Sequence, residues 1–324
     1  MKAIIRIVVS TVVLLTLLLL SIKGRNFDPQ TEESKSRGLI QSSSLKDRFP
    51  DSQHVSDLSV LTVKILQIGP STPPEDIIPS PKYKIHLWFE ASYSTEVLVV
   101  TQHNSNQNPK DNIFANKKIS PSTAKRDKLI IMFRGSDDWE DWVSNINIGM
   151  DEAKFETSPS NVKVHRGFQN NLFQENIPAQ LEEKIFSLLN DTTLNLTPNN
   201  VVLSGHSLGG VLAHMMGIHL AEKYNHFNID VVTFGEPRFG NKALKQWVKS
   251  SLPNLVAWRF VYRKDFVPRI VPRILGYSHT GHLYRITDFG SSVYYDQTGG
   301  EGKYIGAPRK WYGKLFVYLR VDFF

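Results

Sequence analysis

The stretch Val201-Val202-Leu203-Ser204-Gly205-His206-Ser207-Leu208-Gly209-Gly210-Val211-Leu212 decides the fold. Val201–Ser204 is a short, largely β-branched run of the kind that strands show when both faces are buried in a parallel sheet. Leu208, Val211, Leu212, Met215 and Ile218 then recur at helical spacing. Between strand and helix stands G-x-S-x-G, a pattern that arises by chance in roughly one such chain in ten and is weak on its own. The strand–turn–helix setting makes it strong. Such a turn forces the Ser207 backbone into a strained conformation that only small neighbours tolerate, and Gly205 and Gly209 give that clearance. The hydroxyl is thereby exposed above the carboxyl edge of the sheet, at a helix N-terminus whose partial positive charge and free N–H groups stabilise an oxyanion. Ser207 reads as a nucleophile, and His206 as a turn residue rather than its base.

Outward from this stretch the same alternation continues. Val97–Thr101, Leu129–Phe133, Asp230–Phe234 and Ala257–Tyr262 read as further strands, and Leu172, Phe173, Ile177, Leu181, Ile185 and Leu188 as a helical pattern. Pro178 falls inside that pattern and predicts a kink or a helix restart. The whole is an α/β arrangement: a mostly parallel central sheet flanked by helices. Other chemistries find no support. There is no H-E-x-x-H, His214 and His219 are five apart and do not share a helix face, and no G-x-G-x-x-G or Walker loop follows a strand. The chain has no cysteine, which excludes disulfides, thiolate metal sites and a Cys nucleophile.

A second element, Phe133-Arg134-Gly135-Ser136, closes an apolar strand and is followed by Asp137-Asp138-Trp139-Glu140-Asp141-Trp142-Val143. Trp139 and Trp142 are three apart on one face of a helix, with Asp138 and Asp141 on another. These residues, with Val164-His165-x-Gly167-Phe168, Gly205–Gly209, Thr233-Phe234-Gly235-x-Pro237-Arg238-x-Gly240-Asn241, Asp265-x-Val267-Pro268 and Tyr277-x-His279-x-Gly281, occur in the order seen in the fungal-type class 3 lipases. The chain resembles that family over about residues 85 to 300. The resemblance implies an α/β-hydrolase fold with a short helical lid, and a carboxylic ester hydrolase acting on lipid acyl esters, as triacylglycerol lipases do, through an acyl-enzyme and without cofactor or metal. It implies Ser207 as nucleophile, Asp265 as the acid that supports the base, the Leu208 N–H and Ser136 as oxyanion donors, and Trp139 and Trp142 in the lid. Asp265 fits independently, since it follows the Ala257–Tyr262 strand by a few residues, where a loop can reach the elbow. His165 reads as ordering its loop, and Ser136 also as a helix N-cap.

One departure stands out. The family's triad His lies tens of residues beyond the acid, whereas here His279 and His282 are the last histidines. His279 corresponds to the Tyr-x-His-x-Gly element, whose His is not the base, and His282 has no counterpart. Three explanations compete: the chain ends, at Arg320–Phe324, about where the base is expected; His282 or His279 substitutes; or the protein is a membrane-tethered lipid-binding pseudoenzyme that keeps the groove and has lost the chemistry.

The flanks speak to localisation. Ile7–Ile22 is an uncharged apolar run between Lys2, Arg6 and Lys23, Arg25. It is short for a spanning helix and long for a signal-peptide core, and the weak cleavage site at Ile22-Lys23-Gly24 tilts the reading to an anchor. Residues 1–25 thus form a signal anchor or signal peptide, 26–56 a polar tether, and 57–324 the hydrolase-like domain. Either leader sends the domain to the secretory lumen or exterior, as a single-pass anchored or a secreted protein. Asn190-Asp191-Thr192 and Asn195-Leu196-Thr197 are glycosylation sequons there. The 38 Lys and Arg against 31 Asp and Glu give +7, yet the cations are scattered without a basic run, so nucleic acid is no expected partner. The expected partner is lipid at a membrane or droplet interface, and nothing in the sequence sets an oligomeric state.

Overall fold

In the computed structural model the residues described are 50, 52–68, 72–78, 81–91, 95–103, 126–135, 149–262, 265–286 and 292–295. The N-terminal apolar run, most of the tether, Ser136, Trp139 and Trp142 lie outside them. The chain first enters helix α1 (Ser52–Ile65), where Val55, Leu58, Leu61 and Ile65 are fully buried at helical spacing. Residues 52–56, read with the tether, belong to this helix. Its Asp57 carboxylate accepts from Gln53, Lys82 and Gln102, which ties the helix to the first hairpin. A single-turn helix, α2 (Pro74–Ile77), leads into it.

Strands β1 (Tyr83–Ala91), β2 (Thr95–Gln102), β3 (Lys128–Phe133), β6 (Val201–His206), β7 (Ile229–Phe234), β9 (Leu255–Tyr262), β11 (His282–Ile286) and β12 (Ser292–Tyr295) form one sheet in the order β1-β2-β3-β6-β7-β9-β11-β12. The five strands from β3 to β11 run parallel, while β1, β2 and β12 pair antiparallel at the edges. All five strands expected from the sequence are present, and β3, β6, β7 and β9 carry the almost unbroken burial that two covered faces require.

A second sheet, β10-β8-β5-β4, consists of β4 (Met150–Glu152), β5 (Lys163–His165), β8 (Gly240–Asn241) and β10 (Tyr277–Ser278). Val164 and Ser278 both pair with Gly240, and Tyr277 with Asn241, so three motifs far apart in sequence meet here.

Helix α3 (Arg166–Phe173) ends in a turn where Glu175 and Asn176 take φ of 51° and 57°, and α4 (Ile177–Leu189) restarts after it. Pro178 sits in the first turn of α4, where its missing N–H costs no hydrogen bond, which gives the restart a cause. Helix α5 (Ser207–Lys223) is buried at every residue from Ser207 to Ala221 and packs on β6 and β7. It is apolar all round because it is covered all round. Helix α6 (Lys242–Ser251) is capped by Asn241, whose side chain accepts from the Leu244 N–H at 2.9 Å. Among the described residues no helix is long and apolar enough to cross a membrane.

Candidate active site

The turn between β6 and α5 has the strained geometry that the sequence predicts. Ser207 has φ of 52° at the first residue of α5, in the left-handed region that a non-glycine residue enters at a cost of about 1–3 kcal/mol. The crowding explains the flanking glycines. A β-carbon on Gly205 would stand 2.5 Å from the Gly209 carbonyl oxygen, and one on Gly209 would overlap the Phe133 carbonyl oxygen. The elbow is therefore wedged against the end of β3. Ser207 is 6% exposed, and Leu208 follows in the first helical turn, where N–H groups have no partner inside the helix.

The end of β3 is fixed in turn. Arg134 bridges to Glu96 of β2 and donates to the Ile68 carbonyl at 2.9 Å, and Gly135 has the His206 carbonyl oxygen 2.9 Å from where a β-carbon would stand. Gly135 is the residue before Ser136, so the backbone leading to the expected second oxyanion donor lies against the nucleophile's turn.

Asp265 lies just past the end of β9, its N–H donating to the Tyr262 carbonyl at 2.9 Å and its Oδ1 accepting the Val267 N–H at 3.0 Å. Burial pushes its pKa up to about 6, against the opposing pull of that N–H and of Arg269. No described residue hydrogen-bonds its second oxygen, Oδ2. That oxygen is 3.1 Å from the position a Gly235 β-carbon would take, and His206 Nε2 is 3.3 Å from the same position. Gly235 itself has φ of 62°. The sequence reading of His206 as a turn residue did not foresee that its ring would share the space over Gly235 with Asp265.

The model of the family described as lipase (class 3) matches residues 130–274. Secreted mono- and diacylglycerol lipase 1 of Fusarium solani is 30% identical over 159 residues, 49% of this chain and 44% of that protein. A lipase of Rhizopus niveus is 26% identical over 160 residues, 48% of this chain and 38% of that protein. The family match takes in a little under half of this chain. The matched stretch spans less than half the length of those two relatives. A solved triacylglycerol lipase from Penicillium expansum superposes with a TM-score of 0.57, covering 80% of this chain and 92% of that one at 19% identity, and speaks to the fold.

All ten histidines of the chain are among the described residues. His282 is 5% exposed and stacks on Trp258, ring centroids 4.7 Å apart. Its strand position is level with Trp258, Val232 and Ser204 in turn. Three inter-strand steps of about 4.8 Å put it roughly 14 Å from the elbow strand, beyond hydrogen-bond reach of Ser207. His279 hydrogen-bonds the backbone of Pro268, in the loop that follows Asp265, and burial with Arg259 and Arg238 nearby holds its pKa well below the usual value. Its Nδ1 is sealed from solvent. His279 braces the loop of Asp265, and His282 packs on Trp258.

The remaining motif residues support this frame. His165 Nδ1 accepts the Gly167 and Phe168 N–H groups at 3.1 and 3.4 Å, capping α3, and burial lowers its pKa to about 4, so it stays neutral. That is the loop-ordering role expected of it. Glu236, absent from the sequence reading, is fully buried and accepts from Thr233 at 2.7 Å while pairing with His214 of α5 at 3.1 Å. It ties the end of β7 to the nucleophile's helix. Among the described residues no group of three or more His, Asp and Glu side chains could hold a metal ion.

Proposed function

We propose that this chain is a class 3 lipase that hydrolyses carboxylic esters of lipids through an acyl-enzyme on Ser207. The observation that carries the reading is the strained Ser207 at the head of α5, with Asp265 on the loop just past β9. The Ser207 oxygen attacks the acyl carbon as its proton passes to a base. The Leu208 N–H and Ser136 receive the oxyanion, the alcohol leaves with the proton, and water then releases the acid. Asp265 supports the base through Oδ2. The printed names of the relatives, lipases of mono-, di- and triacylglycerol, agree with lipid esters as the substrate class. Hydrolysis of p-nitrophenyl esters and emulsified triacylglycerol, measured with and without imidazole and compared with Ser207→Ala, is the test; activity no greater than that variant's under both conditions would overturn the reading.

The separation of His282 from the elbow strand favours a second reading, lipid binding without turnover. Free imidazole separates the two. If only the base is missing, millimolar imidazole restores hydrolysis that depends on Ser207; if the site has lost its chemistry, it restores none.

The domain belongs, on this account, in the secretory pathway, with residues 1–25 as leader, a polar tether after it, and Asp137–Val143 as a lid presenting Trp139 and Trp142 to an interface. The secreted relative supports this placement. Asn190 and Asn195 are both exposed, Asn190 at the end of α4, and so are open to a glycosyltransferase. Loss of a mobility shift on endoglycosidase treatment, in wild type but not in the double Asn→Gln variant, checks it.

A further inference from the structure

Among the described residues the exposed large apolar side chains are Phe266, Ile274 and Leu275, at 40%, 88% and 42% exposure, and all three fall in one segment directly after Asp265. Such side chains scattered over a surface need no explanation, but their concentration in one place does. The segment is not loose. Val267 and Val271 are 4% and 0% exposed, Arg238 donates to the Val271 carbonyl at 2.8 Å, and β10 anchors the far end on β8. Inward-facing residues thus hold a backbone whose outward residues are apolar or cationic. Arg269 and Arg273 are exposed on the same turns, and between Phe266 and Gly276 there is no acidic residue. Their positive field reaches inward too: after burial, Arg273 and Arg269 are among the causes that lower Arg238 to about 10. Of the neighbouring acids, Asp265 is largely buried and Asp151 is paired with Arg166 at 2.8 Å.

We infer that Phe266, Ile274 and Leu275, framed by Arg269 and Arg273, form a docking face for a lipid surface that carries anionic headgroups. The apolar side chains enter the acyl boundary and the two guanidinium groups meet the headgroups, as at the interfacial faces of peripheral proteins. Since the face begins at the residue after Asp265, docking presents the lipid beside the site. The inference rests on the lipid-ester reading for its part in catalysis, but docking is measurable without turnover.

The experiment uses Ser207→Ala protein recovered from a secretory host, sedimented with vesicles of phosphatidylcholine alone or containing roughly one-third phosphatidylglycerol. Partitioning onto the anionic vesicles is expected to be at least about tenfold stronger. Arg269→Gln with Arg273→Gln should lower that preference about fivefold per arginine, and high salt should mimic the change. Ile274→Ser with Leu275→Ser should cut binding to both vesicle types about tenfold or more, and Ile274→Ser alone should weaken it with the thermal midpoint unchanged, because that side chain is 88% exposed. Equal binding to the two vesicle types, or variants that bind as before, would overturn the inference. So would a concentration-dependent dimer abolished by Ile274→Ser with Leu275→Ser, which would give the face to a second copy of the chain. Protein inactive on soluble esters yet bound in this pattern would refute the hydrolase reading alone.

Discussion

Asp265 Oδ2 and His206 Nε2 converge on one point, 3.1 and 3.3 Å from the position that a β-carbon on Gly235 would occupy. Gly235 is thus required twice, by its φ of 62° and by the two side chains that close over it. Gly235→Ala should destabilise the domain by about 1–3 kcal/mol and lower ester hydrolysis about tenfold or more, since Asp265 must move. Urea unfolding and kcat/KM on a soluble ester measure both. Unchanged kcat/KM in a folded variant would place Asp265 outside the reacting centre.

The raised pKa of Asp265 fixes a sign for pH dependence. Its folded value, about 6, lies above its ordinary 3.8, so the folded protein holds the proton more tightly. That contribution to stability is complete below about pH 4 and is lost as pH rises through 6, beyond which a charged carboxylate is buried. Asp265→Asn keeps the acceptor for Val267 and never ionises. It should match the wild type near pH 4 and exceed it at pH 8 by about 1–2 kcal/mol, allowing for partial exposure. Hydrolysis by the wild type should fall below pH 6, where a neutral acid gives no support to an imidazolium. An equal stability difference at both pH values would contradict the assignment.

Histidine variants separate packing from chemistry. His282→Phe can retain the stack on Trp258, and Ser207-dependent turnover should stay within about threefold of wild type. His279→Ala removes the brace on Pro268 and should lower thermal stability while leaving a residual Ser207 reaction. Complete loss of reactivity in a folded His282→Phe protein would show that His282 is the base after all.

The lid reading makes a substrate-dependent prediction. Trp139→Ser with Trp142→Ser should weaken action on emulsified triacylglycerol by about tenfold or more and spare soluble short-chain esters. Equal losses on the two substrates would make the segment a structural element only.

The parts of this molecule that can be read from its sequence are those with a local signal. β6 and α5 announce themselves through apolar runs and helical spacing, the elbow through two glycines around Ser207, and Asp265 through its place after β9. The small sheet has no such signal, because Gly240–Asn241 and Tyr277–Ser278 are too short for an alternating pattern and pair across long sequence separations. The convergence of His206 and Asp265 over Gly235 joins three residues far apart in sequence, which a string of residue types does not carry. Helix α1 begins before its apolar face becomes regular, so residues 52–56 look like tether until Val55 is seen buried.

Covalent capture of the nucleophile tests the central claim most directly. An alkyl fluorophosphonate, with imidazole present to take the proton, forms an Oγ–P bond as fluoride leaves, and peptide mass mapping locates it. The account predicts a single adduct on the peptide containing Ser207, absent from Ser207→Ala and from thermally unfolded protein. No adduct on the folded wild type, or an adduct on another serine alone, would contradict it.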